Sequence, residues 1–406
     1  MVLPKTLRAL CALCVLVPLT ASGAVAADGG FSRWVSDFWP AARSAGVSRA
    51  TFERAFRGVS PDPEVLEKAR YQPEFAQPIW TYLARAVSDE RIANGRAMLE
   101  RYRGVLDAIE GTYKVDRHVL VAIWGMESSY GEALTNPRMV KPLIRSLATL
   151  AYEDERRGRY ARTQLVAALK LLERGDVDPG GLTGSWAGAM GHTQFIPTTF
   201  EAYGVDFDGD GHRNIWQSPA DALASAANYL HRSGWVPGKT WGYEVALPRG
   251  FDFRLADSET ELTLAEWERR GIRRVSAPAF PRPDDLAILV LPAGAEGPAF
   301  LMLRNHFVIR RYNNALAYAL AVGHLADRLR GGGPFEQSWP VAQRPLNGTE
   351  REELQRLLAD AGYYEGSIDG QIGPRSVAAI RAYQTASGLT PDGHAAADLL
   401  DTLRGG

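Results

Sequence analysis

A stretch rich in glycine and proline, GGGPFEQSWPVAQRP at residues 331–345, constrains the fold of this chain more than any other feature. Both residue types interrupt helices, so the helical patterning on either side cannot continue through it. The stretch therefore predicts two folding units joined by a linker. The larger unit is expected at residues 28–330 and the smaller at 346–406, and a chain of 406 residues is long enough to bury a large core.

The first residues have the pattern of a cleavable export signal. Two basic residues, Lys5 and Arg8, precede an apolar run at 10–19, and small residues at 24–26 fit a cleavage site. The run is short for a transmembrane span. Both cysteines lie within it, and a leucine precedes each one where a lipoprotein signal needs a small residue. We expect a signal peptide at 1–27, a mature chain without cysteine in the periplasm, and no membrane anchor after cleavage.

The charge balance argues against one class of partner. The formal net charge is −1, and it becomes −3 when the two cations of the export signal are removed. A nucleic-acid-binding protein needs a basic face for its phosphate contacts. We therefore expect no nucleic-acid partner.

Hydrophobic periodicity and capping residues predict a mainly α (α+β) large domain. Asp116 and Ser218 are candidate N-caps, and Gly175 is a candidate C-cap. Further helices are expected at about 157–174 and 315–330, whereas alternation predicts short strands at about 243–247, 287–291 and 299–303. These strands form a small insertion in a helical domain.

The segment AIWGMESSYG, residues 122–131, places Glu127 at the end of a markedly apolar helix. A carboxyl group beside Ile123, Trp124 and Met126 is poorly solvated, which raises its pKa and keeps it protonated near neutral pH. Glycosidic cleavage needs such an acid to protonate the departing oxygen. Taken alone, however, a single glutamate is more often an exposed residue at a helix edge.

A second segment, GSWAGAMGHTQFIPTTF at 184–200, is a loop rich in small residues that also contains Ser185, Gln194 and Phe195. Small residues let the backbone approach a ligand closely, and hydroxyl and amide groups supply hydrogen bonds to sugars. A tight connection between two helices is the alternative interpretation of this segment alone.

Together, these two segments resemble the B-type lytic murein transglycosylases, whose catalytic glutamate lies in a WG-x-E-(S/T)-x-(Y/F/W)-G segment. The resemblance continues through DGDGHRNIW, the helix ALASAANYL and RRYNNALAYALAVGHLAD at 310–327. It implies a lysozyme-like helical catalytic domain with Glu127 as the lone acid/base. It also implies a set of residues that contact the sugars: Ser185, Gln194, Phe195, Tyr229, Tyr312, Asn313, Tyr82, Arg156 and Arg157.

Two of these assignments have ordinary structural alternatives. Tyr229 alone would be read as a core aromatic residue. Asn313 and Asn314 immediately precede the last predicted helix of the domain, where asparagine is a common cap.

The resemblance also implies the reaction, which is cleavage of the β-1,4 bond between N-acetylmuramic acid (MurNAc) and N-acetylglucosamine (GlcNAc) in peptidoglycan. Glu127 acts first as acid and then as base, and the products carry 1,6-anhydro-MurNAc ends without any cofactor. Within the matching catalytic segments the other acid is Glu132, just past the turn. Two alternatives remain open: a hydrolytic muramidase on the same scaffold, which needs a second carboxylate, and a non-catalytic wall-binding protein.

The segment DFDGDGH at 206–212 spaces three carboxylates as an EF-hand loop does, with glycine at the sixth position. Gln217 stands at the twelfth position, where a bidentate glutamate is usual. Members of the B-type family can close a related calcium loop with a later aspartate, which corresponds to Asp221, although this chain is one residue longer there. A structural calcium ion and a metal-free Asp/Gly turn are both open. The candidate ligands are Asp206, Asp208, Asp210, His212 and Asp221.

The C-terminal segment resembles the peptidoglycan-binding type 1 domain, a small three-helix module. The matching features are LQRLLADAGYY, IDGQIGPRSVAAIRAYQ and the closing GLTPDG. Residues 346–406 contain five arginines and nine acidic residues, a net charge of −4. The resemblance implies peptidoglycan glycan strands as the partner. The negative charge of the module indicates binding through hydrogen bonds and shape, not general attraction to an anionic polymer. A mere stability cap is the alternative.

Overall fold

The computed structural model describes residues 29–70, 77–257 and 259–405, and the predicted signal peptide lies outside these ranges. Helices dominate the described residues. They are α1 (Gly29–Ser44), α2 (Arg49–Phe56), α3 (Pro63–Arg70), α4 (Ile79–Ala86), α5 (Asp89–Arg101), α6 (Arg103–Tyr113), α7 (Arg117–Ser128), α8 (Leu143–Glu153), α9 (Gly158–Arg174), α10 (Pro197–Tyr203), α11 (Pro219–Arg232), α12 (Leu264–Arg269), α13 (Arg304–Ile309), α14 (Leu316–Arg330), α15 (Gly348–Asp360), α16 (Pro374–Ala386) and α17 (Ala397–Gly405).

The predicted helix boundaries are confirmed where capping residues define them. Oδ1 of Asp116 accepts the N–H of His118 at 2.8 Å, and α7 follows. The Ser218 hydroxyl accepts the N–H of Asp221 at 3.2 Å at the start of α11. Gly175 ends α9 with a φ of 75°, a conformation that glycine adopts without strain.

Two small sheets interrupt the helices. They contain β1 (Lys141–Pro142), β2 (Thr183–Gly184), β3 (Gly242–Ala246), β4 (Glu261–Thr263), β5 (Arg273–Arg274), β6 (Leu286–Val290) and β7 (Ala299–Leu303). Strands β1 and β2 pair with each other, and the other five form an antiparallel sheet in the order β4-β6-β7-β3-β5. The three predicted strands are β3, β6 and β7, so the strand-bearing insertion is confirmed.

Helix α7 is central to the largest core. It buries most of its residues, including Leu120, Ile123 and Trp124, and it packs against α5, α6, α11 and α14. Burying nearly every face of a helix removes a large apolar area from water, at about 25 cal/mol per Å². The core therefore fixes the end of α7, where Glu127 lies.

The C-terminal unit is the expected three-helix module, formed by α15, α16 and α17 around their own apolar core. The fully buried Gln355 is satisfied within it, because its amide oxygen accepts the N–H groups of Asp369 and Gly370 at 2.9 and 2.8 Å. None of the helices in the described ranges is both long and apolar enough to cross a membrane.

Candidate active site

Helix α7 ends just after Glu127 in a turn of left-handed residues. The three residues at 129–131 have φ angles of 49°, 61° and 95°. A Cβ atom at Gly131 would lie 2.4 Å from the His192 ring, so the close approach requires glycine. The turn leaves Glu127 in the last turn of α7, next to the loop that contains His192.

Two hydrogen bonds hold that loop on α7. Nε1 of Trp124 donates to Nδ1 of His192 at 3.1 Å, and the Ser128 hydroxyl donates to the His192 carbonyl oxygen at 2.6 Å. Burial lowers the pKa of His192 to about 4, so its ring is neutral at physiological pH and can accept from Trp124. The loop at 184–200 is thereby set against the helix that carries Glu127.

The carboxyl group of Glu127 is largely desolvated. Burial raises its pKa to about 7. The hydroxyl of Tyr318, on α14, donates to Oε1 of Glu127 at 2.5 Å and opposes that rise, since it stabilises the carboxylate form. A carboxyl group with this pKa is present in both protonation states near neutrality and can donate or accept a proton.

Glu127 lies in a small pocket with Ser185 and Gln194, and it is the only carboxyl-bearing residue among the described pocket-lining residues. The Ser185 hydroxyl oxygen accepts the N–H groups of Ala187 and Ala189 at 3.3 and 3.1 Å, so its hydrogen is free to be donated. Nε2 of Gln194 donates to a backbone carbonyl at 2.8 Å, which leaves its amide oxygen as an acceptor.

Three predicted aromatic residues form a cluster beside this pocket. The Phe195 ring lies 5.9 Å from that of Tyr229 and 5.7 Å from that of Tyr312. The Tyr312 hydroxyl donates to the Thr193 carbonyl oxygen at 2.6 Å, and the Tyr229 hydroxyl donates to that of Arg311 at 2.5 Å. Burial and the charge of Glu127 both raise the pKa of Tyr312, which places it close to the carboxyl group. Tyr229 and Tyr312 therefore pack against the loop at 184–200 and help to hold it in place.

The remaining predicted residues differ in position. Tyr82 lies near Glu127, since burial and the charge of Glu127 raise its pKa. Asn313 is exposed, and its Oδ1 accepts the N–H of Ala315 at 3.0 Å. Ala315 precedes the first residue of α14, so this bond closes a turn before the helix and does not cap it.

The two predicted arginines, Arg156 and Arg157, contact residues other than Glu127. Arg157 has its guanidinium group 4.9 Å from the centre of the Trp186 ring, which belongs to the loop at 184–200. Arg156 instead donates to the Ala69 carbonyl oxygen at 3.4 Å. The described contacts of these two arginines do not reach Glu127.

Sequence reasoning missed Tyr318 as the partner of Glu127. Tyr318 is 5% exposed, and a buried tyrosine hydroxyl needs a hydrogen-bond partner. The signal was available in the motif ALAYALAVGHLAD, where one tyrosine interrupts a run of small and aliphatic residues. The pattern alone does not identify which group the hydroxyl meets.

The acidic loop forms a separate cluster. Oxygen atoms of Asp206, Asp208 and Asp210 lie within 4.8 Å of one another, and the latter two residues are exposed. The same carboxylates also accept N–H groups of their own loop, including a 2.8 Å bond from Gly209 to Asp206. The three aspartates fit part of the ligand set of an oxygen-coordinated cation.

The other two metal candidates are arranged differently. Asp221 is fully buried, and its two oxygens accept the N–H groups of Phe207 and Asn214 at 2.8 Å each. It shapes the acidic loop through these backbone bonds, and its pKa is raised by burial and by the charge of Asp208. His212 is exposed and donates its backbone N–H to Asp210 at 2.8 Å.

Comparison with known proteins defines the class. The family model for the transglycosylase SLT domain matches residues 30–327, and a model for a peptidoglycan binding domain matches residues 347–403. The first match covers most of the chain. The chain therefore belongs to the SLT-domain transglycosylase family, within its B-type branch, and carries a C-terminal peptidoglycan-binding domain.

Individual relatives agree with that assignment. The chain is 32% identical over 253 residues to membrane-bound lytic murein transglycosylase B of Escherichia coli, covering 61% of this chain and 66% of that relative. It is 50% identical to SltB3 of Pseudomonas aeruginosa, whose crystal structure in complex with NAG-anhNAM-pentapeptide covers 92% of this chain and 99% of its own, with a TM-score of 0.88. Slt35 of Escherichia coli, solved in complex with calcium, is 27% identical with a TM-score of 0.61, covering 74% of this chain and 93% of its own.

Proposed function

We propose that this protein is an exported lytic transglycosylase that cleaves the MurNAc–GlcNAc β-1,4 bond of peptidoglycan and leaves 1,6-anhydro-MurNAc ends. The observation that carries the proposal is the enclosed carboxyl group of Glu127, whose pKa is raised to about 7 by burial. A family relationship to transglycosylases supports it, and the complex of the Pseudomonas relative contains an anhydro sugar.

In the first step, protonated Glu127 transfers its proton to the glycosidic oxygen. The C1–O bond of MurNAc breaks, the GlcNAc hydroxyl leaves, and positive charge develops at C1. The N-acetyl oxygen of the same MurNAc residue stabilises that charge. Glu127 becomes a carboxylate, and the hydroxyl of Tyr318 at 2.5 Å stabilises this form.

In the second step, the Glu127 carboxylate accepts the proton of the MurNAc C6 hydroxyl. The C6 oxygen forms a bond to C1 and closes the 1,6-anhydro ring, and Glu127 is again protonated. One group thus serves as acid and then as base, and no water is consumed. A pKa close to the working pH suits both roles.

Five of the nine predicted sugar-contacting residues divide into two groups. Ser185 and Gln194 share the pocket of Glu127 and have hydrogen-bonding capacity left for a ligand. Tyr229, Tyr312 and Phe195 hold the loop that presents them. We propose that Ser185 and Gln194 bind the reacting sugar and that the three aromatic residues hold Ser185 and Gln194 in position.

We also propose that the acidic loop binds a structural calcium ion. Asp206, Asp208 and Asp210 would hold it, and Asp221 would organise the loop through backbone hydrogen bonds. The ion would neutralise three neighbouring carboxylates and tie the start of α11 to the loop. It takes no part in the chemistry.

The domain organisation follows the linker. We propose a catalytic domain at 28–330, a linker at 331–345 and a wall-binding domain at 346–406, which act in the periplasm after removal of the signal at 1–27. The export-signal pattern and a peptidoglycan substrate support that location.

A hydrolytic muramidase is the alternative reaction, and it requires a carboxylate that activates water. Mass spectrometry of peptidoglycan sacculi digested with the full-length protein separates the outcomes. Fragments with anhydro ends support the proposal. Fragments heavier by one water at the reducing end identify a muramidase, and the absence of released fragments points to a non-catalytic wall-binding protein.

A further inference from the structure

Met139 lines the pocket of Glu127, and its side chain is 55% exposed. The other methionines of the described ranges are partly or fully buried, and they are Met98, Met126, Met190 and Met302. The two cysteines of the chain, at 11 and 14, lie outside those ranges. Met139 is therefore the most accessible sulfur-bearing side chain in the part of the chain that the structure describes.

The backbone that carries Met139 is held in place, although the side chain is exposed. Its N–H donates to the Asn136 carbonyl oxygen at 2.9 Å. Strand β1 begins two residues later, and antiparallel pairing sets Lys141 opposite Gly184 of β2. Ser185 follows β2 directly, so this pairing keeps Met139 near the hydroxyl that is proposed to bind the reacting sugar.

The lining of the pocket combines an apolar segment with a polar one. The apolar lining comes from residues 133–140, and its members are Ala133, Leu134, Met139 and Val140. The hydrogen-bonding side chains of Ser185 and Gln194 come from the loop at 184–200. The pocket encloses about 50 Å³, so a single polar atom added to the apolar segment changes both its size and its polarity.

The thioether of methionine is open to such a change. Mild oxidants convert it to a sulfoxide, which turns a flexible apolar side chain into a polar and chiral one. The conversion is reversible, because reductases specific for each sulfoxide epimer restore the thioether. The proposed location of the enzyme, outside the reducing cytoplasm, exposes Met139 to oxidants.

We propose that Met139 is an oxidation site through which oxidants of the hypochlorous acid class lower the activity of the enzyme. The sulfur gives up two electrons and gains an S–O bond, while the O–Cl bond of the oxidant breaks and a chloride ion and a proton leave. Reduction adds two electrons and two protons, and the oxygen departs as water. The loss of activity rests on the proposed function, whereas the oxidation of Met139 does not.

Mass spectrometry of peptides tests the site itself. The full chain is treated with about one molar equivalent of hypochlorous acid, and Met139 should gain one oxygen about tenfold faster than Met98, which packs partly buried against the core. Oxidation of Met98 as fast as that of Met139 would overturn the assignment of the site.

The rate of fragment release from sacculi tests the consequence. Oxidised wild type should be about fivefold slower than untreated wild type, and treatment with both methionine sulfoxide reductases and a thiol should restore the rate. Met139→Leu should have the same rate before and after the oxidant, because leucine has no sulfur. Met98→Leu is the matched control and should lose as much as wild type does.

A further variant reproduces the polarity of the sulfoxide without any oxidant. Met139→Gln should release fragments at about the rate of oxidised wild type. An unchanged rate in wild type whose Met139 is fully oxidised, or an equal loss in Met139→Leu, would overturn the proposal. Absence of release by untreated wild type would instead contradict the proposed function, and the peptide measurement would still decide whether Met139 is the oxidation site.

Discussion

The pocket of Glu127 and the loop of Asp206, Asp208 and Asp210 use carboxyl groups in opposite ways. In the pocket a single carboxyl group is enclosed, and burial raises its pKa to about 7. In the loop three carboxyl groups lie within 4.8 Å of one another near the surface. The same functional group therefore has two different surroundings, one that suits proton transfer and one that suits the proposed cation binding.

The difference shows that proton transfer and cation binding require different surroundings of a carboxyl group. Proton transfer at neutral pH requires a carboxyl group whose charged form is poorly solvated, so that both protonation states are accessible. Cation binding requires several oxygen atoms that are ionised together and reach one point. The pocket is assembled from α7, α14 and the loop at 184–200, whereas the acidic loop is assembled from a few consecutive residues.

The largest predicted effect is on turnover. Glu127→Gln should fold and bind glycan but lose activity by roughly 10³-fold or more, because an amide cannot transfer the proton. Glu132→Gln is the matched control, since Glu132 is exposed just past the turn, and it should stay within about twofold of wild type. Release of fragments from sacculi measures both. Activity of Glu127→Gln within tenfold of wild type would remove Glu127 from the mechanism, and a large loss in Glu132→Gln would indicate a second catalytic carboxylate.

Stability should report the burial of the same carboxyl group. The pKa of Glu127 in the folded chain is about 7, above the value of about 4.3 expected when unfolded. Folding therefore favours the protonated form of Glu127. Its contribution to the unfolding free energy is fully present below about pH 4 and is lost as the pH rises to about 7. Glu127→Gln should therefore exceed wild type in unfolding free energy by about 3 kcal/mol at pH 8 and by little at pH 4. Urea unfolding at both pH values measures this, and an equal difference at the two would contradict the raised pKa.

How much of this was predictable depends on how local each contact is. The caps at Asp116 and Ser218 and the acid spacing at 206–210 follow from neighbouring residues, and their local geometry is as expected. The bond between Tyr318 and Glu127 joins residues 191 positions apart, and no periodicity identifies such a pair.

Resemblance to a family predicted site residues that no local pattern identifies, but not all of them lie in the pocket of Glu127. It drew attention to Ser185 and Gln194, which line the pocket of Glu127. Arg156 lies in a segment whose spacing is less fixed, and its side chain contacts Ala69 instead. Motif position therefore predicts proximity best where the loop itself is held by hydrogen bonds to α7.

A smaller effect is expected from the hydroxyl that touches Glu127. Tyr318→Phe removes a hydrogen bond that lowers the pKa of Glu127, so the alkaline limb of the pH–rate profile should move to higher pH. The maximal rate should fall about tenfold, the equivalent of one hydrogen bond to a carboxylate. Tyr243→Phe in the sheet is the control and should change neither. An unmoved alkaline limb in Tyr318→Phe would show that the hydroxyl does not influence the carboxyl group.

The smallest effect is expected at the acidic loop. If calcium binds the folded chain selectively, a concentration about ten times its Kd should raise the melting temperature by roughly 3 °C, and a chelator should reverse the rise. Asp210→Asn should abolish the shift, whereas Asp37→Asn, on the exposed face of α1, should preserve it. An identical melting temperature with and without millimolar calcium would leave the loop as a metal-free turn.

We propose that one enclosed carboxyl group performs both proton transfers, so that the sugar's own C6 hydroxyl replaces water. Digestion of sacculi by the wild-type protein in ¹⁸O-enriched water, followed by mass spectrometry, tests it most directly. We expect fragments with anhydro ends that carry no heavy oxygen. Fragments with a reducing end labelled by ¹⁸O would contradict it, because water would then have attacked C1.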